Sequence, residues 1–467
     1  MFLACSISNS HFHLHATKSS SSTLLLIVVV FLFLVGPLLW SDQFYIWFYK
    51  THKSPGNDES RSHHSADPRN PGTPEVEELL NSGNTTSRFI DLEKLKERGI
   101  VLPAQNKLSK KLMEQNLLPP RNQGLYPKLK DDHVKVVLYV HNRPEYLRVV
   151  IAGLSEVEGI EETLLIVSHD GFFEEMDSIV QGIHFCQVKQ IYAPWSPHIF
   201  PNSFPGVTPG DCEEKVDAVK LGCSGNPDQY GNYRAVRIVS LKHHWWWMMN
   251  TVWDGLAETK DFDGHIMFIE EDHYLLPNAY RTIQYLTKIK GEKCPYCVAA
   301  NIAPLDVKSR GEQFNHMVAE KVGNVGYTFN RSVWQRIHDQ ATPFCTFDEY
   351  NWDITMWATI YPTFGGAMFT LRGPRTSAIH FGKCGLHAGY QKGSGLAGCK
   401  DNELRPQAVN DLDKVLNIHP DWHVIKYEIR GYNLGFKGWG GWGDKRDHQL
   451  CLQFSSMYHN KPPLEEA

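Results

Sequence analysis

Charge asymmetry, cysteine and repetition are all in short supply in this sequence. Its 47 basic and 52 acidic residues leave a formal charge of −5, without the basic excess of a general nucleic-acid binder, so no nucleic-acid partner is expected. Ten cysteines in 467 residues are too few for a disulfide-dense scaffold, though enough for several staples. No internal repeat is found. Hydrophobic residues at 42% and charged residues at 21% match ordinary globular usage, which excludes a collagen-like, a disordered or a polytopic membrane chain. Aromatic residues are abundant instead. Thirteen tryptophans and 19 tyrosines suit sugar faces and bases, but such rings also fill a large core.

The averages hide an uneven N-terminus. No charged residue occurs from Ser19 to Ser41, and Leu24–Trp40 reads LLLIVVVFLFLVGPLLW. Seventeen helical residues rise about 25 Å, and flanking Ser and Thr extend that toward a hydrocarbon core of about 30 Å. Phe44, Tyr45, Trp47, Phe48 and Tyr49 follow as an interfacial aromatic belt. A cleaved signal peptide would have a shorter apolar core and a clean small-residue cleavage site, and none is seen before Ser41. The expectation is a cytosolic tail at 1–22 and an uncleaved anchor at 23–40, a single-pass type II arrangement. Lys18 on one side, with Lys50 and Lys53 on the other, does not fix the orientation. Two glycosylation sequons at Asn84 and Asn330, and nine of ten cysteines beyond the anchor, favour an oxidising lumen for the rest. Thr51–Thr86 is polar and proline-rich, lacks the apolar surface to fold, and reads as a flexible stem. A helical pattern at Ile90–Leu118 is taken as the end of that stem. The stem is therefore assigned to 41–127 and the folded part to 128–467.

The folded part begins as alternating strands and helices. His133–His141 and Thr163–His169 are short apolar runs rich in β-branched residues, hence buried strands, and Val188–Ala193 is a third. Helical spacing fills Glu145–Glu156 and Glu174–Gly182 between them. That order implies a parallel α/β unit, whose ligands gather at the carboxyl ends of strands. His141, Asn142 and Arg143 follow the first strand, and Asp170 follows the second. Arg234–Trp253 reads as a long helix holding Lys242-His243-His244-Trp245-Trp246-Trp247. Three successive tryptophans span all sides of a helix, so some pack inward. The histidines are adjacent rather than four apart and make no two-histidine metal face. His265–Ile269 then runs straight into Glu270-Glu271-Asp272. Three carboxylates at one strand end repel each other unless positive charge sits there. A hard divalent cation, completed by a diphosphate and water, would supply it. The alternative is an acidic surface turn, but apolar sequence flanks the triplet on both sides.

An acidic triplet after a buried strand, in an anchored luminal chain, resembles the metal motif of GT-A glycosyltransferases. Longer motifs narrow the resemblance. YVHNRPEYL at Tyr139–Leu147, SHD at Ser168–Asp170, KHHWWW at Lys242–Trp247, EEDHYL at Glu270–Leu275, DEYNWD at Asp348–Asp353 and GGWGDKRDH at Gly440–His448 are similar to the N-acetylglucosaminyltransferase II family. The similarity runs from about Lys128 to Phe454. It implies an α/β, GT-A-type Rossmann-like domain in the Golgi membrane, with its catalytic part luminal. It further implies Mn2+-dependent, inverting transfer of N-acetylglucosamine from UDP-GlcNAc to the α-1,6-linked mannose of an N-glycan in β-1,2 linkage. By motif, Asp272 and His380 hold the metal and Asp353 is the catalytic base. Tyr139, Val140, His141, Asn142, Arg143 and Asp170 match donor-contacting positions, as do Ser240, Leu241, Lys242, His243 and His244. The Ser240-Leu241 start departs from the family's wording.

Inversion needs attack opposite the departing UDP, with a carboxylate to take the acceptor proton. Partial burial beside Trp352 would raise the Asp353 pKa toward the working range. Trp352 either stacks under a mannose ring or fills core. Asp348, Glu349 and Asp353 could alternatively cap a helix starting near Asn351. Gly438–Asp444 either lines the cleft or makes a tight turn that fixes the last helix. Cys294-Pro295-Tyr296-Cys297 alone suggests zinc or redox chemistry, but no second pair stands at zinc spacing. The resemblance makes it a small disulfide. By proximity and family pattern the other pairs are Cys212 with Cys223, Cys345 with Cys451 and Cys384 with Cys399, leaving Cys186 as a buried thiol. A family disulfide near His338 and Pro362 is absent, since neither segment holds a cysteine. Two rival readings stand beside this one: a related GT-A transferase with another glycan acceptor, and a non-catalytic luminal sugar-binding protein. Homo-oligomerisation is left open.

Overall fold

Alternating β-branched residues give the central strands two apolar faces, and the fold covers both. The computed structural model describes residues 90–305, 315–382, 409–427 and 435–459. The anchor, the stem up to residue 89, Asn84 and the Cys384–Cys399 pair lie outside the described residues. Among the described residues, no helix is long and apolar enough to cross a membrane. Strands β1 (Lys135–Val140), β2 (Leu164–His169) and β3 (Gln187–Tyr192) are joined by helices α3 (Pro144–Ser155) and α4 (Glu174–Gln181), and all three strands run parallel. Pro144 sits in the first turn of α3, where its fixed φ suits a helix start and its missing N–H is no loss. β4 (His265–Glu270) pairs parallel to β1 on the side away from β2. The strand order thus reverses at β1, and a crevice opens beyond its carboxyl end.

Past β4 the sheet is mixed, beyond the parallel unit expected for the first three strands. Strands β6 (Ala299–Asn301), β7 (Met317–Lys321), β8 (Tyr327–Asn330), β9 (Phe369–Arg372) and β11 (Val424–Lys426) complete a nine-stranded sheet in the order β11-β7-β9-β6-β8-β4-β1-β2-β3. β8 is antiparallel to both β4 and β6, and β7 is antiparallel to β9. β5 (His273–Leu275) and β10 (Ala378–His380) form a separate antiparallel pair. Val137, Tyr139 and Ile166 point to one core with the tryptophan-rich helix, while Val136, Leu138, Val140 and Leu165 point to the other. That alternation is the two-residue period of a strand buried on both sides.

The tryptophan helix, α5 (Val236–Asn250), is buried nearly all round, and it continues into a π-helical turn at Thr251–Gly255. All three tryptophans are buried rather than only some. A helix apolar on every side needs cover on every side, and the C-terminal helix α10 (Lys445–Ser456) helps supply it. Trp246 Nε1 donates to Ser455 Oγ at 2.8 Å, and Trp245 Nε1 donates to the Tyr327 hydroxyl at 2.8 Å.

Helices α1 (Leu92–Glu97) and α2 (Lys107–Gln115), within the sequence assigned above to the stem, pack onto the folded body instead. Leu95, Ile100, Leu112 and Met113 join the core. Asn106 caps α2 and donates to the Ile199 carbonyl at 2.9 Å, and Arg121 bridges to Val188 on β3. The helical pattern seen at Ile90–Leu118 marks an apolar face, which requires a partner surface. The expected boundary at residue 127 is therefore too late.

Disulfides join Cys212–Cys223, Cys294–Cys297 and Cys345–Cys451, and Cys186 is a buried free thiol. The Cys345–Cys451 bridge spans 106 residues and ties helix α8 (Ala341–Thr346) to α10. Closing a loop of that length in the unfolded chain is worth about 2–5 kcal/mol. Cys451→Ala in the full chain should lower the unfolding free energy by that amount under oxidising conditions, read from denaturant midpoints. An unchanged midpoint would show the bridge to be inconsequential.

Candidate active site

Strand register builds the site. Tyr139 on β1 stands opposite Ser168 on β2 and Glu270 on β4, so three chain segments end together at one edge of the sheet. The acidic triplet at the end of β4 divides its work. The Tyr139 hydroxyl donates to Glu270 Oε1 at 3.0 Å. Glu271, fully buried, accepts from the His141 backbone N–H at 2.9 Å and from Arg143 Nε at 2.5 Å. Asp272 accepts from Arg143 Nη1 at 2.9 Å. Arg143 is thus a positive charge among the three carboxylates. Burial pushes Glu270 up to about 7, helped by the negative charge of Asp272. Burial would raise Asp272 as well, but Arg143 and His380 hold it well below the usual carboxylate range.

The β5–β10 pairing sets His380 opposite His273, and it brings His380 Nε2 to 3.6 Å from Asp272 Oδ2. Asp272 Oδ1 is buried without a hydrogen-bond partner. A buried, ionised and unpartnered carboxylate oxygen beside an exposed histidine nitrogen fits a divalent cation. His273 offers less, although its ring atoms also lie within 4.8 Å of this pair. Its Nδ1 accepts from the Glu270 N–H at 3.0 Å, so in the neutral ring the proton sits on Nε2 and leaves no lone pair there. Gly382 closes over the carboxylate: a Cβ there would come within 2.0 Å of Asp272 Oδ2.

Beside this lies a cluster around Asp170. His141 Nδ1 donates to Asp170 Oδ2 at 2.9 Å, and His198 Nε2 is 3.4 Å from the same oxygen. His244 Nε2 is hydrogen-bonded to Ser168 Oγ at 2.9 Å, and its ring packs edge-on to that of His141 at 5.2 Å. Burial opposes ionisation of Asp170, yet its histidine partners hold its pKa well below normal. Burial drives His244 down to about 3, so it is neutral. His141, Asp170 and His244 also stand close enough to hold a cation, but the His141 and His244 nitrogens named above are already engaged.

The base-bearing segment meets this edge of the sheet through Trp352, which packs against Tyr139. Helix α9 (Trp352–Thr355) starts after Asn351, whose side chain makes no capping bond and donates to Glu349 instead. Half-buried Asp353 accepts from the Ile354 N–H at 2.8 Å. Burial raises it to about 6, and the neighbouring Glu349 carboxylate adds to the shift. A cavity of about 310 Å³ opens on Asp353, lined by Trp352, Trp357, Tyr327, Tyr361 and Asn324 among others. Trp352 stacks on Trp245 with ring centroids 4.7 Å apart and planes 6° apart, and it meets Tyr139 edge-on at 6.3 Å. Trp352 therefore packs against core and lines the cavity at once. Tyr139, touching both Trp352 and Glu270, links the base side to the carboxylate side.

The residues singled out by motif do not all converge. Tyr139, His141, Arg143, Asp170, His244, Asp272 and His380 surround the carboxyl ends of β1, β2 and β4, with exposed Asn142 in the same turn. The Val140 side chain lies in the opposite core, and only its carbonyl reaches this edge, accepting from the Asp170 N–H. Ser240 bonds back to the Arg237 carbonyl within α5, and Leu241 is half-buried beside it. His243 bonds Asp447 of α10 at 2.8 Å. Lys242 is directed to a turn before α9. The Ser240, Lys242 and His243 side chains are thus engaged within the fold, because a helix distributes neighbouring residues around its axis. Asn330 caps helix α7 (Arg331–His338) through its side-chain oxygen. Sequence reasoning missed His198, Asp228 and the anchoring role of Glu349. Asp228 accepts the Gly441 N–H, Asp348 accepts the Trp442 N–H and Glu349 accepts the Trp439 N–H, so three carboxylates hold the glycine-rich loop. Gly440, at φ +86°, has no room for a Cβ beside Asp228.

A cation-competent carboxylate, a buried anion–histidine cluster beside it and a raised carboxylate on a ring-lined cavity define a group-transfer site. The sequence profile described as N-acetylglucosaminyltransferase II (MGAT2) matches residues 107–451, and the chain belongs to that family. It is 61% identical over 371 residues to the alpha-1,6-mannosyl-glycoprotein 2-beta-N-acetylglucosaminyltransferase of Arabidopsis thaliana, covering 79% of this chain and 85% of that protein. The Homo sapiens protein of the same name is 34% identical over 347 residues, covering 69% of this chain and 73% of that one. A solved mannosyltransferase from Pyrobaculum calidifontis, in complex with GDP-Man and Mn2+, overlaps 60% of this chain and 65% of its own at 12% identity. Its TM-score of 0.30 is too low to build on.

Proposed function

We propose that this chain transfers N-acetylglucosamine from UDP-GlcNAc to the α-1,6-arm mannose of N-glycans in β-1,2 linkage, by direct inverting displacement on a GT-A-type fold. The observation that carries the mechanism is half-buried Asp353, raised to about 6, on a cavity lined by tryptophan and tyrosine rings. Such a carboxylate is ionised at neutral pH yet basic enough to take the proton of an attacking hydroxyl. Ring faces suit the apolar faces of a sugar, and Trp352 is the surface placed beside the base. Asp272 and His380 would hold Mn2+, which when bound neutralises charge on the departing diphosphate. Arg143 keeps Asp272 ionised, while His141, Asp170 and His244 offer polar contacts to the nucleoside side. Because the attack is direct, no second carboxylate is needed as a nucleophile.

The same proposal includes an anchor at 23–40 in the Golgi membrane with the catalytic part luminal. Its support is the uncharged apolar stretch, the sequons and the three disulfides. The test uses the purified full chain with UDP-GlcNAc, Mn2+ and an N-glycan already bearing N-acetylglucosamine on its α-1,3 arm. The expected product carries one new β-linked sugar on the α-1,6-arm mannose. No transfer, or transfer to another arm, would refute the proposal.

A further inference from the structure

Lysine is rarely fully buried, because its ammonium is expensive to dehydrate without partners. Lys242 in the middle of α5 is fully buried. Its Nζ donates to two backbone carbonyls, Phe347 at 3.1 Å and Glu349 at 2.9 Å. It also lies over the Trp442 ring at 4.5 Å and the Phe344 ring at 5.0 Å. Two carbonyls and two aromatic rings thus stand around Nζ, whose burial holds its pKa well below the usual lysine value.

The turn it grips leads to the base. The Glu349 carbonyl also accepts from Thr355 Oγ1 at 3.1 Å, on the far end of the short helix that carries Asp353. The Glu349 carboxylate accepts from the Asn351 N–H at 3.0 Å and Asn351 Nδ2 at 2.7 Å through one oxygen, and from the Trp439 N–H at 2.8 Å through the other. Asp353 lies two residues past Asn351. The helix runs on into a π-helical turn at Met356–Ile360 that buries Met356 and Ile360 in the core, so the Glu349 bonds bear on its N-terminal end, where Asp353 sits.

We propose that Lys242 is a positioning residue for the base: its Nζ pins the Phe347–Glu349 turn, and through Glu349 it sets where Asp353 points, without contacting the donor. This rests on the reading of Asp353 as the base. Lys242→Met keeps the length and apolar stem but removes the one donor the two carbonyls share, leaving the Glu349 carbonyl only Thr355 Oγ1 and the Phe347 carbonyl only the Glu349 N–H. In the full chain it should lower kcat about 10- to 100-fold, while KM for UDP-GlcNAc and the affinity for UDP with Mn2+ stay within about threefold of wild type. A rise in donor KM with kcat preserved would instead make Lys242 a donor contact and overturn the proposal. So would a kcat within twofold of wild type.

Hydrogen exchange tests the same claim without relying on transfer. In Lys242→Met, peptides covering 347–355 and 438–442 should exchange at least about tenfold faster, while those covering 135–143 and 164–170 stay unchanged. Uniform exchange across all four segments, or none altered, overturns it. Should Lys242→Met fail to fold, Glu349→Gln weakens the next link in the chain and should give the same selective pattern. An inactive wild type would refute the transferase reading, whereas the exchange pattern would still decide whether Lys242 holds this turn.

Discussion

Asp353→Asn should lower kcat by about 10²–10⁴-fold while leaving metal-dependent UDP affinity within a few-fold of wild type. The amide keeps the size and the hydrogen bond from the Ile354 N–H, but it cannot take a proton. If UDP binding and turnover fall together, Asp353 is doing something other than accepting that proton. The wild type should show its own signature. Asp353 titrates at about 6, raised by burial and by Glu349, so kcat/KM should fall as pH drops through about 6 and level off above it. Any residual activity of the variant should lack that acid limb. Stability should move the other way. A carboxylate whose folded pKa exceeds its unfolded value binds the proton more tightly in the folded state, so folding weakens as pH rises from about 4 to about 6. Above that window the ionised group costs on the order of 2 kcal/mol, and Asp353→Asn should recover part of it as a higher melting temperature at neutral pH.

Asp272→Ala should eliminate Mn2+-dependent UDP binding and reduce transfer at least about a thousandfold. His380→Ala should be milder, raising the Mn2+ concentration needed for half-maximal activity about 10- to 100-fold, because the carboxylate remains. Titration calorimetry of UDP with and without Mn2+ measures both. Equal UDP affinity in the Asp272 variant and the wild type would move the cation elsewhere. The controls are Glu271→Gln and Glu270→Gln. Glu271 is bound to the β1–α3 turn through the His141 N–H and Arg143, so its loss should loosen the turn without a selective change in Mn2+ demand.

What the sequence made legible follows from periodicity and from strand ends. β1, β2, β3 and β4 each announce themselves as apolar β-branched runs, and the chemistry at their carboxyl ends was visible because strand ends are where such sheets collect it. Three disulfide pairings joined in the structure were also legible, with the help of family pattern. The antiparallel half of the sheet was not. β6, β8, β9 and β11 are only three or four residues long, too short for a period to emerge. The positive charge balancing the acidic triplet was in view as Arg143 but not assigned, since the register pairing β1 with β4 is a tertiary fact. The division of KHHWWW was hidden for another reason. A contiguous motif looks like one surface, yet on a helix its members point to different neighbours. The carboxylates under the glycine-rich loop carry no sequence signal, because backbone N–H groups are the partners and every residue except proline has one.

α5 meets the Asp170 cluster through the His244–Ser168 bond, the base-bearing turn through Lys242, and the C-terminal helix through His243 and Asp447. On the proposed function, a single rod therefore joins the donor side to the base side, with no hinge between His244 and Lys242. Substitutions at these neighbouring positions should consequently show epistasis. A change at His244 combined with one at Lys242 should depart from the sum of the separate effects, although the residues meet different partners. Variation in this family should then travel in sets along α5, since a shift tolerated by one substrate alone would misalign it with the other.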